Sequence, residues 1–328
     1  MKVIQHSKEA LQRALISNST ELTKLYNKYT EQERRFLEEG YNAGQPGSLF
    51  QNITVHSESD WIPAHPEQPQ DFESFYRDLT RKTPSANHNT IYIQTIGSFG
   101  EARPQTDQYV EWLREYCQVF FHGVTVKLLP TVTVFCVFIS RKPKDAFCII
   151  GITMIDLYPK DSWNFVFGQA SLSSGMGVFS FARYDDNFYR SYAGRLKKQQ
   201  KLKKDDYSVF DGYYIPTISS TLLLRSSKTM THEIGHMFGI RHCQWLSCVM
   251  QGSNHLEESD RRPLDFCPIC LRKLQVAIGF KIADRYKVNL IKCGAACHSG
   301  PELPKLTQDF YSSKLWLQKC LTVLQSDL

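Results

Sequence analysis

The sequence has no run of about 20 apolar residues, the length that a membrane-spanning helix requires. Its longest apolar stretch, TVTVFCVFIS at residues 131–140, is followed at once by the charged segment RKPKD. The N-terminal segment MKVIQHSKEALQRALISNST also lacks the continuous apolar stretch of a signal peptide, because charged and apolar residues alternate through it. These absences predict an intracellular protein, cytoplasmic with the nucleus left open, that has no membrane partner.

A strong excess of one charge is lacking as well. The 328 residues include 39 Lys and Arg against 33 Asp and Glu, a net charge of +6, which favours solubility and gives no support to nucleic acid as a partner. A charge-dense run, GRLKKQQKLKKDD at residues 194–206, has two interpretations: a patch for polyanions or localisation, and a solvated loop or helix face. We favour the solvated surface, because most charge runs are of that kind.

Apolar patterns predict helices in the first part of the chain and strands alternating with helices from residue 87 onward. Two helices are expected between Ser7 and Glu39, and another over Tyr109–Phe120. The predicted strands are Thr90–Gly97, Val124–Pro130, Val132–Ile139 and Ala146–Tyr158, followed by FVFGQA at 165–170 and GVFSFARY at 177–184. This order indicates an α+β fold that is α/β-like in its alternation of strands and helices, and in which the sheet precedes a histidine-rich segment.

That segment has the pattern HExxHxxGxxH. His232 and His236 are four residues apart, so on a helix both imidazoles can reach one metal ion. Glu233 adjoins the first of them and can act as a general base toward water on that metal. Gly239 permits a left-handed turn that brings His242 back as a third ligand. Three nitrogens leave one position of a tetrahedral zinc open, as in catalytic sites.

The sequence contains ten cysteines, and in a reducing compartment clustered thiols are more often metal ligands than disulfides. Cys243 and Cys248 are followed by Cys267 and Cys270 in CPIC. Two such pairs are typical of a tetrahedral zinc site that is closed to water and structural, whereas the alternative is four unrelated thiols. We favour the zinc site, which would also fix the loop of the third histidine, since Cys243 directly follows His242.

Met250, two residues after Cys248, has two interpretations that overlap physically. It is either a Met-turn, whose thioether packs beneath the zinc histidines without binding metal, or an ordinary core methionine. A weaker cluster in CGAACH, which we interpret as incidental, comprises Cys293, Cys297 and His298. Three further cysteines are predicted to be small buried thiols: Cys117, Cys136 and Cys148.

With these residues assembled, HEIGHMFGIRHCQWLSCVM followed by CPIC resembles the archaemetzincin family of zinc metallopeptidases. The histidine motif is shared with all metzincins. The features specific to archaemetzincins are the cysteine directly after the third histidine, the second cysteine five residues later, the methionine two residues after that, and the later CxxC. The resemblance covers residues 89–274, and every metal position of the family is filled.

The resemblance implies a metzincin-type zincin, with a twisted mixed sheet, a long active-site helix and a small C-terminal subdomain stabilised by zinc. Residues 1–88 would form an N-terminal helical extension and linker, 89–274 the catalytic domain with its four-cysteine zinc element at 243–270, and 275–328 a C-terminal helical extension. The segment 168–184 would supply the rim of the cleft and an edge strand that pairs with an extended peptide. The residues predicted for that strand are Gly177, Val178, Phe179, Ser180, Phe181 and Ala182.

The implied activity is hydrolysis of a peptide or protein substrate, with two zinc ions per chain and a zinc-bound water activated by Glu233. The sequence leaves open the oxyanion-stabilising residue and the choice between endo- and exopeptidase action, including aminopeptidase-like action on short peptides. Two other classes remain. A zinc-stabilised module that binds a protein or polyanion would not need Glu233 beside a vestigial histidine site, and a non-peptidase metallohydrolase would not need an edge strand.

Overall fold

The computed structural model describes residues 1–100, 104–132, 142–157, 167–171, 174–188, 213–296 and 308–326. The strands of its central sheet are β3 (Thr90–Ile96), β4 (Thr125–Val132), β5 (Ala146–Thr153), β6 (Gly168–Ser171) and β7 (Met176–Ser180). A separate antiparallel pair comprises β1 (Lys2–Ile4) and β2 (Ile53–Val55). The central sheet has the order β4–β3–β5–β7–β6, in which only β6 runs antiparallel to its neighbour.

The sheet is therefore mixed, as expected. Every residue of β3 and β5 is buried, as is typical of parallel strands that are covered on both faces. β5 ends at Thr153, short of the predicted end at Tyr158, because the Thr153 hydroxyl donates to the Ile96 carbonyl at 2.7 Å and accepts from the Ile155 amide at 3.1 Å. The strand predicted over Val132–Ile139 lies outside the described residues, except that Val132 ends β4.

The prediction that residues 177–182 form the edge strand is wrong. β7 pairs with β5 on one side and with β6 on the other, and it is buried at four of its five positions. Phe181 and Ala182 follow the strand and enter a 3-10 turn at Ala182–Tyr184. In the described part of the chain, the outermost strand at this end of the sheet is β6, whose residues alternate between half-buried and exposed.

The helices divide into an N-terminal group, a group around the sheet and a C-terminal group. The first comprises α1 (Lys8–Ile16), α2 (Thr20–Tyr26), α3 (Glu31–Glu38), α4 (Trp61–Ala64) and α5 (Phe72–Tyr76), with a 3-10 turn at Glu39–Asn42. The others are α6 (Pro104–Phe120), α7 (Ser220–Met237), α8 (Leu256–Arg261), α9 (Pro268–Ile278), α10 (Ile282–Ala296) and α11 (Gln308–Gln325). No helix in the described ranges is both long enough and apolar enough to cross a membrane.

Three helices occupy the region in which the sequence predicted two. The additional break precedes Thr30, whose side chain accepts from the Glu33 amide while the Glu33 carboxylate accepts from the Thr30 amide. This reciprocal capping box starts a new helix at Glu31. The N-terminal group is anchored by Arg272 of α9, which is fully buried and donates to the carbonyls of Leu15 and Leu22.

Helix α7 carries the histidine motif and is buried on nearly all sides. It begins after Ser219, whose hydroxyl accepts from the Leu222 amide at 3.1 Å, a standard N-cap. Polar residues within it are satisfied locally, since the hydroxyls of Ser226 and Ser227 donate to carbonyls four residues earlier. The helix ends before Gly239, whose φ of +85° turns the chain away. The histidine motif therefore lies on a long buried helix that contacts β6 and β7 of the sheet.

Candidate metal centre

The structure brings the three predicted histidines together. The donor nitrogens of His232, His236 and His242 all lie within 4.8 Å of one another. His232 and His236 stand one turn apart on α7 with their Nε2 atoms 3.1 Å apart, and the turn at Gly239 returns His242 to within 5.0 Å of the His236 ring, measured between centroids. The spacing of the motif therefore produces one compact cluster of imidazoles.

Hydrogen bonds at Nδ1 determine the tautomers of His232 and His236. His232 Nδ1 lies 2.8 Å from the Val249 carbonyl and His236 Nδ1 lies 2.6 Å from the Ile240 carbonyl. Carbonyl oxygens only accept, so both Nδ1 atoms carry hydrogen and both Nε2 atoms present lone pairs. Two lone pairs that face each other at 3.1 Å repel unless a cation lies between them. The arrangement fits a metal ion, with the outer nitrogens held as in known histidine–metal sites.

Burial keeps the rings of His232 and His236 neutral. It lowers the pKa of His236 to about 3 and holds the pKa of His232 well below its ordinary value, because a charged imidazolium loses its hydration there. Arg262 acts in the same direction, since its cation lies 3.1 Å from His232 Nδ1. Neutral imidazole is the form that binds metal, so the environment favours the ligand state near neutral pH.

Glu233 directly follows His232 on α7 and is partly buried. Burial raises its pKa to about 7, and the cation of Arg262 acts in the opposite direction. Among the described residues, no hydrogen bond to the Glu233 carboxylate is formed, which leaves its oxygens available to a small molecule. A carboxyl group with a pKa near the working pH is suited to accept and return a proton.

The four predicted cysteines form a second cluster. Cys243, Cys248, Cys267 and Cys270 are all buried, and their sulfurs lie within 4.8 Å of one another. The sulfurs of Cys243 and Cys267 are 3.6 Å apart, far beyond a disulfide bond of about 2.05 Å and close to the separation of two thiolates on one zinc, given Zn–S bonds of about 2.3 Å. The amides of Met250 and Cys267 donate to the Cys248 sulfur, which supports a thiolate there.

One loop joins the two clusters. Cys243 directly follows His242, and its amide donates to the Met250 carbonyl at 2.8 Å. The neighbouring carbonyl of Val249 accepts from His232. The four-cysteine element therefore fixes backbone groups that orient two of the three histidines.

Met250 packs against the helix that carries His232 and His236, a contact that fits both interpretations of this residue. Its side chain is fully buried, and a Cβ added to Gly235 would lie 2.5 Å from the Met250 sulfur. Gly235 precedes His236 on α7, so the absence of a side chain there lets the thioether contact the helix. The contact is one of packing, which the core interpretation also includes.

We expect Met250→Leu to cost less than about 1.5 kcal/mol in unfolding free energy and to retain the metal at the histidines, because leucine roughly conserves volume. Thermal unfolding and metal content would measure both effects. Met154→Leu is the matched control, since Met154 is equally buried but lies beyond β5. Loss of the histidine metal in the Met250 variant alone would mean that the thioether is a ligand.

The sequence did not point to four side chains that hold this site. Glu67 accepts from His242, Trp61 packs on the His242 ring, Gln70 bonds to the loop between the ligands, and Arg262 lies against His232. Glu67 is separated from His242 by 175 positions, and no spacing rule links residues so far apart. Charge alone does not single out Glu67 either, because the same segment also contains Glu58 and Asp60.

A third group of potential ligands, Asp60, His255 and Glu258, is explained by hydrogen bonding. His255 Nδ1 accepts from the Glu258 amide at 3.3 Å, so the opposite nitrogen carries hydrogen and donates to Asp60 at 3.2 Å. Arg261 donates to both oxygens of Asp60 at 2.8 Å. This group is a structural network.

The weaker cluster predicted in CGAACH includes Cys297 and His298, which lie outside the described residues. Cys136, predicted to be a buried thiol, lies outside them as well.

Comparison with known proteins shows similarity to archaemetzincins. Residues 207–276 match peptidase family M54. The chain is 52% identical to archaemetzincin-2 of Pongo abelii, over 99% of this chain and 100% of that protein, and 35% identical to archaemetzincin-1 of Rattus norvegicus, over 85% of this chain and 60% of that protein. The crystal structure of an archaemetzincin from Methanopyrus kandleri is 24% identical, with a TM-score of 0.41, and covers 60% of this chain and 99% of that one. The similarity to archaemetzincin-2 thus includes the N-terminal and C-terminal helices.

Proposed function

Since the chain belongs to the archaemetzincin family of zinc metallopeptidases, we propose that it hydrolyses peptide bonds at the His232–His236–His242 cluster, with Glu233 as the general base. The observation that carries the proposal is the convergence of three imidazoles, together with a partly buried carboxylate, directly after the first of them in the chain, whose pKa is raised to about 7. A binding scaffold would not need that carboxylate.

Three imidazole nitrogens are the donor set of catalytic zinc, which leaves a coordination position for substrate or water. When bound, zinc polarises the scissile carbonyl and lowers the pKa of a water molecule toward about 7. The chain's own contribution is to orient the three rings and to keep His232 and His236 neutral. The carbonyls of Val249 and Ile240 hold His232 and His236 by their Nδ1 hydrogens.

Glu233 would take the proton from the attacking water and deliver it to the leaving amine. Its place on α7 directly after His232 holds the carboxylate next to the ligand cluster, while the low polarity that raises its pKa makes it a better proton acceptor than an exposed glutamate. No covalent intermediate with the protein is required.

The second metal would be a structural zinc held by the four cysteines, giving two ions per chain. A four-thiolate set fills a tetrahedral site and excludes water. The buried sulfurs and their two amide donors support this assignment.

A peptide substrate would pair with β6 rather than with the strand that the sequence suggested. β6 contacts α7, and no strand of the described residues pairs with its outer side. A backbone edge offers alternating donors and acceptors, so an extended peptide can bind there irrespective of its side chains.

We expect the wild-type chain to contain two zinc ions and His236→Ala to contain one, because the two ligand sets are separate. The variant should lose peptide hydrolysis and retain most of its melting temperature, since the four-cysteine zinc remains. Metal analysis, activity and thermal melting measure these outcomes. His88→Ala, an exposed histidine, is the control and should keep both ions. A single zinc in the wild type would contradict the two-site assignment.

A further inference from the structure

We infer that Glu67 is a positioning residue of the histidine metal site, so that the N-terminal region completes a centre whose ligands lie 165 or more positions further along the chain. The inference rests on the proposed function, because it assigns the orientation of one ligand. It concerns residues 61–70, which belong to the N-terminal helical extension and linker predicted over residues 1–88. The structural evidence is one charged hydrogen bond together with a set of contacts that holds it in place.

The carboxylate of Glu67 is the partner of the third histidine. Its two oxygens lie 3.0 and 3.2 Å from His242 Nδ1. A carboxylate only accepts, so His242 Nδ1 carries the hydrogen and Nε2 presents its lone pair, as in the other two rings. All three histidines therefore share one tautomer, and that of His242 is set by Glu67.

The charge of Glu67 distinguishes this contact from the other two. His232 and His236 donate to neutral carbonyls, whereas His242 donates to a carboxylate, whose two oxygens both lie within 3.2 Å of its Nδ1. A carboxylate behind an imidazole makes the opposite nitrogen a stronger metal donor. His242 also needs the greater restraint, since it lies on a loop beyond the end of α7.

Trp61 and Gln244 hold Glu67 in this position. The Trp61 indole donates to the Glu67 carboxylate at 3.2 Å, and its ring packs edge-on against His242 with centroids 4.6 Å apart. The Gln244 side chain donates to the Glu67 carbonyl at 2.9 Å. A Cβ on Gly252 would lie 2.4 Å from the indole, so the ring is closely packed. Glu67 is thus restrained by contacts to its side chain and to its backbone.

Gln70 fixes the loop that leads to His242. Only 4% of Gln70 is exposed. Its side-chain nitrogen donates to the Gly239 carbonyl at 3.0 Å and its oxygen accepts from the Arg241 amide at 3.0 Å. Both backbone groups flank the turn between the second and third ligands. The N-terminal region therefore holds this loop on one side, while the four-cysteine element holds it on the other.

The test is the near-isosteric variant Glu67→Gln in the full-length chain. We expect zinc at the histidines to bind roughly 10- to 100-fold more weakly, as measured by competition with a chelator. The four-cysteine zinc and the melting temperature should stay close to wild type. After replacement of the histidine zinc by Co²⁺, the visible absorption bands should shift, because the ligand field of His242 changes. Glu58→Gln, an exposed glutamate of the same region, should change none of these.

The outcomes separate this inference from the proposed function. Unchanged zinc affinity and unchanged Co²⁺ bands in Glu67→Gln would overturn the inference and leave the proposed function intact. Loss of both metals together with an early melting transition would also overturn it, because Glu67 would then support the fold rather than the ligand. A wild-type chain that takes no metal at the histidines would overturn both.

Discussion

Replacement of Glu233 by alanine is expected to lower the rate of peptide hydrolysis by roughly 10²- to 10⁴-fold, the usual cost of removing a general base. The rate loss should be close to the upper limit of this range, since the water would lose its proton acceptor while every metal ligand remains. Both zinc ions and the melting temperature should be retained, because alanine is a strong helix former. Turnover, zinc content and melting should be measured on the same preparations.

The matched control for this substitution is Glu257→Ala. Its carboxylate is 85% exposed on α8, so its loss should leave turnover at the wild-type level. Undiminished hydrolysis by a fully zinc-loaded Glu233→Ala protein would show that another group accepts the proton.

The double variant Cys267→Ser/Cys270→Ser is expected to lose one zinc ion and most of its stability. Binding of a structural zinc contributes on the order of 10 kcal/mol to folding, which is comparable with the whole stability of a typical domain, about 5–15 kcal/mol. The loop from Cys243 to Met250 would lose its anchor, and with it the carbonyl that holds His232. Zinc content and thermal melting would report the change.

Cys117→Ala tests whether the loss is specific to the metal cluster. Cys117 is a fully buried thiol on α6, and burial raises its pKa, so it is an inert core residue. Its replacement should cost about 0.5–3 kcal/mol, as for ordinary core changes, and leave both zinc ions in place. A double-serine variant that melts like the wild type would rule out a structural zinc at the four cysteines.

The parts of the site that follow local rules could be predicted from the sequence. A spacing of four residues on a helix places His232 and His236 together, and a glycine beyond the helix end returns His242. The capping box of Thr30 and Glu33, which begins a third N-terminal helix, is also a local pattern of the sequence.

The sequence contains only a weaker signal for which of β6 and β7 lies at the edge of the sheet. The strand that contains Val178 and Phe179 is largely buried and lies between two neighbours, whereas the strand that contains Gln169 is small and polar and has one side unpaired in the described part of the chain. The contact between Glu67 and His242 follows no local rule, since it arises only when the N-terminal helices pack against α9 through buried groups such as Arg272.

The most direct test of the account is a cleavage profile of the purified, zinc-loaded chain on a mixed peptide library, analysed by mass spectrometry with Glu233→Ala as the blank. The account predicts new peptide termini that appear with the wild type, disappear with a zinc chelator and are absent from the blank. A zinc-loaded wild type that cleaves no peptide would contradict it and would favour a zinc-stabilised binding module with a vestigial histidine site.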